Sequence, residues 1–289
     1  MARRSNSLPG RVVAITGAAR GIGCATAQAC IGAGMRVAIG DIDLAAAQQT
    51  ASELGAGTIA ERLDVRERAS VARFLDQTEE RLGPIDVLIN NAGIMPLKPL
   101  VDEDDASARR QVDINVHGVL HGMKEALPRM LARNSGQIVN IASMAGRVGF
   151  SGGATYSGTK HFVVGVSEAA RAELRGSAVE ITCVMPVLVR TELSSGLPPG
   201  VIIKHIEPDD VAAAILRALR SPRFEVYVPR MVTPLVKLGA ALPQPIREGV
   251  GRFLRIDRSL ADPDVAIRRA YELRASQSEA ALESNEGEP

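Results

Sequence analysis

The fold of this chain is decided in residues 11–34, which read "RVVAITGAARGIGCATAQACIGAG". The first part, Arg11–Thr16, is apolar and rich in β-branched residues, a composition typical of a buried strand. A glycine-rich turn, Thr16–Gly23, follows, and beyond it small and apolar residues recur at helical spacing until Gly32–Gly34. The stretch therefore predicts a strand that passes through a tight turn directly into a helix.

Strand and helix patterns alternate along the rest of the chain. The segments between the apolar runs have helical periodicity, including one long helix expected over about residues 102–133. Consecutive strands separated by helices form a parallel sheet with right-handed crossovers. We therefore expect an α/β protein with a seven-stranded parallel sheet and helices on both faces. The six further strands are expected in "MRVAIGD" (35–41), "TIAERLDV" (58–65), "IDVLINNAG" (85–93), "GQIVNIAS" (136–143), "VEITCVM" (179–185) and "FEVYVP" (224–229).

Composition divides the chain into a single domain and a C-terminal extension. The extension is apolar and interrupted by prolines, and the tail after it carries four glutamates and no basic residue. For the extension we favour a lid or dimer contact over an amphipathic patch on a membrane surface. The predicted parts are an N-terminal arm (1–10), the α/β domain (11–230) with a substrate loop (about 186–207), the lid or extension (231–274) and a disordered acidic tail (275–289).

The bulk composition excludes several classes of protein. The chain has 289 residues, 46% of them hydrophobic, and a formal net charge of +1, which predicts a sizeable core and no nucleic-acid partner. No apolar segment follows the N-terminal arginines as in a secretory signal, and no run has the length of a membrane span. Cys24, Cys30 and Cys183 are predicted to be buried packing thiols, so we expect a reducing, cytoplasmic compartment. With the four histidines they lack metal-ligand spacing, so no metal site is expected.

The turn Thr16–Gly23 reads "TGAARGIG", with glycines spaced G-x-x-x-G-x-G rather than G-x-G-x-x-G. By itself it is equally compatible with a plain glycine-rich turn. Its place between the first strand and the first helix favours a phosphate site. Small residues let a pyrophosphate approach the backbone, and a helix N-terminus offers unpaired N–H groups and a positive dipole end.

Asp41 ends the second strand, 20 residues past Gly21. A carboxylate at that point can accept hydrogen bonds from the adenosine ribose hydroxyls, and it repels the 2′-phosphate of NADP. Arg20 points weakly the other way, since a basic residue in the turn can meet that phosphate. We therefore expect NAD as the cofactor, with NADP less favoured.

Taken together, the motifs of this chain resemble those of the short-chain dehydrogenase/reductase family. The resemblance covers about residues 11–193 and implies a Rossmann-type, doubly wound fold and a nicotinamide-dependent oxidoreductase. We also expect a homo-oligomer, either a dimer or a tetramer. The residues that carry the resemblance are "TGAARGIG" (16–23), "LDV" (63–65), "NNAG" (90–93), "IN" (114–115), Ser143, and Tyr156 with Lys160.

Tyr156 and Lys160 lie four residues apart, a spacing that by itself is also found where a tyrosine packs and a lysine is solvated. The resemblance implies that Tyr156 is the general acid and base. A free tyrosine has a pKa near ~10. An ammonium at ~4 Å, at an effective dielectric of ~20, stabilises the phenolate by roughly 4 kcal/mol, or about three pKa units. This is enough to bring the pKa of Tyr156 near neutrality.

Further roles follow from the resemblance. Lys160 is expected to hydrogen-bond the nicotinamide ribose as well, Ser143 to hold the substrate oxygen, and Asn115 to interrupt the long helix and fix a water that relays protons to Lys160. The alternatives are a strand-end cap for Ser143 and a surface helix residue for Asn115. Residues expected to bind the cofactor are Gly17, Arg20, Gly21, Ile22, Gly23, Asp41, Ile42, Asp64, Val65, Asn91, Ala92, Gly93, Tyr156, Lys160, Val189 and Thr191.

The segment "MPVLVRTEL" (185–193) departs from the family, which usually has Pro-Gly after the sixth strand. Here Val187 stands in place of the glycine. Because a β-branched residue resists backbone conformations that glycine permits, we expect the loop beyond Pro186 to follow a different path. Val187 is then expected to add an apolar wall beside the substrate. The residues expected to contact the substrate are Ser143, Tyr156 and Val187.

The leading interpretation is an NAD-dependent alcohol dehydrogenase or carbonyl reductase. The apolar residues near the site and in the extension favour a small hydrophobic substrate such as a lipid, steroid, retinoid or other terpenoid. One alternative is an NADPH-dependent 3-oxoacyl reductase, which Asp41 argues against. Another is a non-catalytic dinucleotide-sensing protein, which the intact Tyr156 and Lys160 argue against.

Overall fold

Seven parallel strands form the centre of the structure, a computed structural model that describes residues 7–55, 57–197, 205–243, 267, 268, 271–273 and 275. The order across the sheet is β3-β2-β1-β4-β5-β6-β7, and each neighbouring pair is parallel. The prediction of a doubly wound, seven-stranded parallel sheet is therefore confirmed. The strands are β1 (Val12–Thr16), β2 (Arg36–Asp41), β3 (Ile59–Arg62), β4 (Ile85–Asn90), β5 (Gly136–Ile141), β6 (Val179–Pro186) and β7 (Glu225–Val228).

Helices cover both faces of the sheet. In chain order they are α1 (Gly21–Gly32), α2 (Leu44–Leu54), α3 (Arg68–Leu82), α4 (Asp105–Val112), α5 (Gly118–Ala132), α6 (Ala154–Glu173), α7 (Pro208–Arg220) and α8 (Thr233–Ala241). One face is covered by α3, α5 and α6, and the other by α1, α2 and α7. This three-layer arrangement explains why the central strands are mostly apolar and buried on both faces.

The alternation of side chains along β1 shows how the two cores form. Val12 and Ala14 belong to the apolar cluster on one face, and Val13 and Ile15 belong to the cluster on the other. All residues of β1 are buried. Since burial of a valine or isoleucine side chain stabilises a fold by roughly 1.5–3 kcal/mol, a central strand of this composition stabilises both layers at once.

The position of the site follows from the strand order. Ile15 of β1 pairs with Ile39 of β2 on one side and with Ile89 of β4 on the other. The chain leaves β1 toward one face and β4 toward the opposite face, so a crevice opens at the carboxyl ends of these strands. Asp41 and Asn90, the last residues of β2 and β4, border this crevice.

The helix expected over residues 102–133 differs from the prediction in two ways. It begins at Asp105 because the side chain of Asp104 caps it, accepting a 2.8 Å hydrogen bond from the backbone N–H of Ser107. It is also interrupted by a π-helical turn, Asp113–His117, which separates α4 from α5. The expected interruption around Asn115 is thus confirmed.

Smaller differences concern element ends and burial. The expected third strand, 58–65, ends already at Arg62, and α8 forms in the proline-interrupted part of the extension. Cys30 and Cys183 are buried as expected, whereas Cys24 is only half-buried.

Parts of the predicted organisation lie outside the described residues, including the acidic tail after residue 275 and residues 244–266 of the predicted lid. Within the described ranges, no helix is long and apolar enough to cross a membrane. The same part of the chain contains no group of three or more His, Cys, Asp or Glu side chains placed to hold a metal ion.

A close approach between α5 and β4 generates a prediction on stability. A Cβ atom added at Gly122 would lie 2.0 Å from Oδ1 of Asn90. Asn90 cannot easily move, because it donates a 2.8 Å hydrogen bond to Asn140, which donates to Ser167 at 2.8 Å. We expect Gly122→Ala to lower the free energy of unfolding by roughly 1–3 kcal/mol, measured by urea denaturation.

The matched control is Gly165→Ala on α6, where an added Cβ meets nothing within 4 Å. Here the substitution should raise the free energy of unfolding by about 0.5–1 kcal/mol, because alanine is the better helix former. Equal stability of Gly122→Ala and the wild type would contradict the packing described here.

Candidate active site

The glycine-rich turn after β1 has the backbone shape of a phosphate site. Gly17 and Gly21 have φ values of 63° and 57°, in the left-handed region that favours glycine. A Cβ at Gly17 would lie 2.7 Å from Cα of Ala92, so this position also needs a residue without a side chain. Arg20 precedes α1, and its side chain makes no capping hydrogen bond. The first N–H groups and the dipole of α1 therefore face the turn, as an anion-binding helix N-terminus requires.

Thr16 and Asn91 join this turn to the end of β4. Asn91 Nδ2 donates to the carbonyl oxygens of Thr16 at 2.9 Å and Gly17 at 2.7 Å. In return, the hydroxyl oxygen of Thr16 accepts hydrogen bonds of 3.0 Å from the backbone N–H groups of Asn91 and Ala92. Gly23 packs against the same amide, since a Cβ there would lie 2.7 Å from Asn91 Nδ2. The "NNAG" segment thus fixes the shape of the turn.

Asp41 holds the turn from the side of β2. One carboxylate oxygen accepts a 3.0 Å hydrogen bond from the N–H of Ala19, and the other accepts a 3.1 Å bond from the N–H of Asp43. Burial raises the pKa of Asp41, and the two backbone hydrogen bonds partly offset that rise. Arg20 forms its ion pair with Asp43 rather than with Asp41, at a distance of 2.7 Å. The basic group that argued for NADP is therefore paired with an exposed carboxylate.

Asp64 and Val65 lie beyond the end of β3. The carboxylate of Asp64 is bound by the guanidinium of Arg66, with a shortest distance of 2.7 Å. Val65 packs against Gly118 at the start of α5, and its carbonyl oxygen lies 2.9 Å from Nδ1 of His121. Both residues are buried just beyond the end of β3, and their expected contact with adenine stays a prediction.

The remaining predicted cofactor residues lie on the same side. Ile42, next to Asp41, is 37% exposed, which leaves its side chain available at the surface of the crevice. Thr191 reaches the glycine turn: its Cγ2 would be 3.3 Å from a Cβ at Gly21. Val189 is buried and forms a parallel bridge with Ile206. The loop after β6 therefore closes over the turn.

Tyr156, Lys160 and Ser143 come together at the carboxyl ends of β5 and β6. Tyr156 and Lys160 are on the first turns of α6 and are 6% and 5% exposed. Lys160 Nζ lies 5.7 Å from the centre of the Tyr156 ring and donates a 3.0 Å hydrogen bond to the carbonyl oxygen of Ile141. Ser143 caps a short helix by accepting from the N–H of Ala145, and it is also hydrogen-bonded to Tyr156. The capping role expected as an alternative is thus compatible with the catalytic one.

Burial dominates the charges of this group. It raises the pKa of Tyr156 to about 12, and the hydrogen bond with Ser143 opposes that rise. It also lowers the pKa of Lys160 to about 8. The expectation that Lys160 alone brings the pKa of Tyr156 near neutrality is wrong, because removing the phenolate from water outweighs the attraction of the ammonium. With the protein's own groups, Tyr156 is protonated at neutral pH.

Asn115 fixes the backbone beside these residues. It is fully buried in the π-helical turn, so the alternative of a surface residue is wrong. Its side chain accepts a 2.9 Å hydrogen bond from the N–H of Ile94 and donates to the carbonyl oxygen of Ile94 and to the hydroxyl of Thr159. A Cβ at Gly93 would lie 3.1 Å from Asn115 Oδ1 and 3.5 Å from Lys160 Nζ. The proposed water relay to Lys160 stays a prediction.

Val187 adopts the position of the family's glycine without backbone strain. Among the described residues, Asn134 is the one non-glycine residue with a positive φ. The backbone of Val187 therefore lies in an ordinary region of φ. Its N–H donates to the carbonyl oxygen of Val228 at 2.9 Å, and its side chain packs against the core cluster of β5, β6 and α6. The next residue, Leu188, packs against the apolar cluster that contains Tyr156. The wall role assigned to Val187 stays a prediction, and Leu188 is a second candidate.

Sequence reasoning missed most of the apolar residues around Tyr156. The Phe150 ring packs edge-on against Tyr156, with 6.3 Å between ring centres. These residues come from three separate loops, and they follow no periodicity that a sequence pattern could reveal. The cluster consists of Met95, Leu97, Ala145, Tyr156 and Leu197, with Phe150, Leu188 and Leu193 packed against it.

The residues present fit a nicotinamide dinucleotide. The glycine turn provides room for a pyrophosphate at an uncapped helix N-terminus, and Asp41 provides an acceptor for ribose hydroxyls at the end of β2. At the other end, Gly93 leaves space next to Asn115 and Lys160. Asp41, the glycine turn, Gly93 and Ser143 thus all lie at or just beyond the carboxyl ends of parallel strands.

Comparisons with known proteins agree with this geometry. The family model of the short chain dehydrogenases matches residues 11–200. Sorbitol dehydrogenase of Cereibacter sphaeroides is 39% identical over 191 residues, which make up 66% of this chain and 75% of that protein. Glycine betaine reductase ATRR of Emericella nidulans is 35% identical over 229 residues, or 74% of this chain, but the match spans only 18% of that longer protein.

A solved structure gives the same result for the fold. The short chain dehydrogenase/reductase of Burkholderia phymatum, solved in complex with NAD, matches with a TM-score of 0.76 and 27% sequence identity. The match covers 89% of this chain and 99% of that one.

The buried ammonium generates a prediction for the pH dependence of stability. The pKa of Lys160 is about 8 in the folded chain against 10.5 for a free lysine. Folding therefore pays an electrostatic penalty below pH ~8, and this penalty fades as the pH rises to the unfolded value. Relative to Lys160→Met, the wild type should gain roughly 3 kcal/mol of unfolding free energy between pH ~8 and ~10.5.

The measurement is chemical denaturation at a series of pH values. Lys124→Met, at an exposed position of α5, controls for the loss of a positive charge. A difference between wild type and Lys160→Met that does not change with pH would contradict the assigned burial of the ammonium.

Proposed function

This chain belongs to the short-chain dehydrogenase family, and from that premise we propose that it transfers hydride between NAD and an alcohol or carbonyl substrate, with Tyr156 as general acid and base. The family makes the chain an oxidoreductase that uses a nicotinamide cofactor. The observation that carries the finer proposal is the buried Tyr156, hydrogen-bonded to Ser143 with the Lys160 ammonium beside its ring. This group stands at the end of a crevice shaped for a dinucleotide.

The reaction requires one proton to move with each hydride. In carbonyl reduction, the Tyr156 hydroxyl donates its proton to the substrate oxygen, and in alcohol oxidation the Tyr156 oxygen accepts the hydroxyl proton. Ser143 holds the same oxygen through its hydroxyl. Lys160 holds positive charge near the phenol, so that the phenolate formed in reduction is stabilised. The cofactor, when bound, supplies or accepts the hydride and in its oxidised form adds the positive charge of the nicotinamide ring.

The direction of proton transfer depends on the balance between burial and charge. Burial keeps Tyr156 protonated, which prepares it as an acid. To act as a base it needs more positive charge than the protein provides, and only then does its pKa approach the working pH. Reduction should therefore be the less demanding direction for the protein's own groups at neutral pH.

The choice of NAD over NADP is supported by two contacts. Asp41 is held at the ribose end of the crevice by the N–H groups of Ala19 and Asp43, which leaves lone pairs on both oxygens for ribose hydroxyls. A 2′-phosphate there would meet a carboxylate. Arg20, the nearby cation, is paired with Asp43.

The substrate proposal rests on the lining of the site next to Tyr156. Met95, Leu97, Phe150 and Leu197 pack around the phenol together with Leu188. Apolar walls with a few fixed polar groups favour a hydrophobic alcohol or ketone. The name of the Cereibacter relative indicates a polyol instead, so sorbitol belongs in the same substrate screen.

Tyr156→Phe tests the acid–base role. The substitution removes the transferable proton but keeps the ring, so turnover should fall by roughly 10²–10⁴-fold, the contribution of a general acid–base group. NADH binding, measured by fluorescence, should change little. Tyr227→Phe, at a buried position of β7, is the matched control and should keep its activity. Full turnover by Tyr156→Phe would refute the mechanism.

The pH dependence tests the protonation states. Because Tyr156 is protonated at neutral pH, kcat/KM for alcohol oxidation should rise about tenfold per pH unit between pH ~6 and ~8, as the basic form becomes populated. Reduction of the matching ketone uses the protonated form and should be nearly constant over this range. Initial rates from nicotinamide absorbance provide both profiles, and a flat oxidation profile would contradict the assignment.

Asp41→Asn tests the cofactor preference. The amide keeps the size of the side chain but removes its charge, so the ratio of kcat/KM for NAD over that for NADP should fall by about tenfold, equal to roughly 1.4 kcal/mol. Asp43→Asn is the control, because it releases Arg20 and leaves Asp41 charged. If only Asp43→Asn changes the ratio, Arg20 sets the preference and the role of Asp41 is wrong.

A further inference from the structure

A C-terminal helical segment lies against the apolar cluster around Tyr156. Its described residues are Ile267, Arg268, Tyr271–Leu273 and Ala275. Met95, a member of the cluster, is bound by this segment through both of its backbone groups. The N–H of Met95 donates a 2.7 Å hydrogen bond to the hydroxyl oxygen of Tyr271, and its carbonyl oxygen accepts one from Nη2 of Arg268. The segment is therefore docked on the loop that follows β4.

Arg268 connects this loop to a second one. Its Nη1 donates to the carbonyl oxygens of Leu193 and Ser195, each at 3.3 Å, in the loop that follows β6. The side chain is 1% exposed, and its Nε lies 3.2 Å from a carboxylate oxygen of Glu272. This single buried guanidinium thus donates hydrogen bonds to three carbonyl oxygens and forms an ion pair with one carboxylate. Because burying an arginine without such acceptors is costly, these contacts stabilise one particular position of the segment.

Tyr271 is directed from the segment toward the reacting end of the site. Its side chain is buried, and the guanidinium of Arg268 lies 5.2 Å from the centre of its ring. Burial raises the pKa of Tyr271, and charge on Tyr156 adds to that rise. Met95, which binds Tyr271, packs in the same cluster as Tyr156. Tyr271 is therefore joined through Met95 to the apolar cluster that surrounds Tyr156.

We propose that Tyr271 is a specificity-determining residue that limits the size of the substrate beside Tyr156, and that Arg268 is the positioning residue that holds it there. This inference rests on the proposed function. The substrate class that fits is a hydrophobic ketone or secondary alcohol with one compact substituent, such as a methyl group, on the side of Tyr271. A bulkier substituent on that side would meet the ring of Tyr271.

The test compares two ketones that share one hydrophobic substituent and differ in the other, methyl against butyl. The wild type should prefer the methyl ketone. Tyr271→Ala removes the ring and should shift the ratio of kcat/KM, butyl over methyl, upward by about tenfold or more, as expected when a pocket gains room for several methylene groups. Tyr271→Phe keeps the ring and should keep the preference of the wild type.

Leu273→Ala is the matched control, since this side chain is 53% exposed on the same segment. It should keep the size preference. An unchanged ratio in Tyr271→Ala, while the wild type turns over the methyl ketone, overturns the inference and leaves the proposed function intact. Absence of turnover of every alcohol and ketone by the wild type refutes the proposed function instead.

Arg268 is tested by a measurement that needs no turnover. In Arg268→Gln, amide hydrogen exchange should become faster in peptides covering residues 94–97 and 191–196, the two loops that the guanidinium joins, while peptides of β1 and β4 keep their protection. KM for the methyl ketone should rise, and kcat should change less, because the variant loosens the two loops beside the substrate and leaves the reacting groups unchanged. Unchanged exchange in both loops overturns the positioning role.

Discussion

Lys160 keeps its ammonium group inside the protein because Nζ donates a 3.0 Å hydrogen bond to the carbonyl oxygen of Ile141, the last residue of β5. Bringing a charged group into such a place costs several kcal/mol, which hydrogen bonds only partly offset. The bond ties the start of α6 to the sheet, and the preceding turn of α6 carries Tyr156 next to Ser143. Gly93 packs closely here, since a Cβ there would lie 3.1 Å from Asn115 Oδ1 and 3.5 Å from Nζ. The geometry of the site thus follows from accommodating one buried cation.

The contacts separate into a polar frame and an apolar wall. The frame consists of backbone groups held by Thr16, Asn91 and Asn115, and it joins the ends of β1 and β4 with the π-helical turn. The wall comes from the loops after β4 and β6 and from the C-terminal segment, joined by Arg268. A frame of this kind suits a constant cofactor, whereas the wall can change from one substrate to another without disturbing the sheet.

Much of the frame could be predicted from the sequence, because its residues stand at fixed places in a repeating pattern. Strand β1 is apolar on both faces, the turn after it is rich in glycine, and Tyr156 precedes Lys160 by one helical turn. The interruption at Asn115 was also predictable. The start of the helix at Asp105 was not, because it depends on a cap by Asp104. The charge of Tyr156 was misjudged for a related reason: a spacing shows that two groups are near, but not how completely the fold removes them from water.

Residues far along the chain were the hardest to predict. Arg268 and Tyr271 carry no motif, and their contacts join residues more than 170 positions apart. Such long-range docking depends on which carbonyl groups two separate loops leave unpaired, and a local pattern contains no information on that. Val187 illustrates the opposite case, since this visible departure from the family is accommodated without a positive φ.

The central claim is that positive charge has to overcome burial before Tyr156 can act as a base. The chain has no tryptophan and only three tyrosines, each with a raised pKa, so the ultraviolet absorbance of tyrosinate is nearly silent below pH ~10. The decisive measurement is that absorbance, titrated from pH ~7 to ~10 with and without oxidised NAD. We expect one tyrosine to ionise in this range only when NAD is present, and none in Tyr156→Phe. Identical titrations of the wild type with and without NAD would contradict the claim.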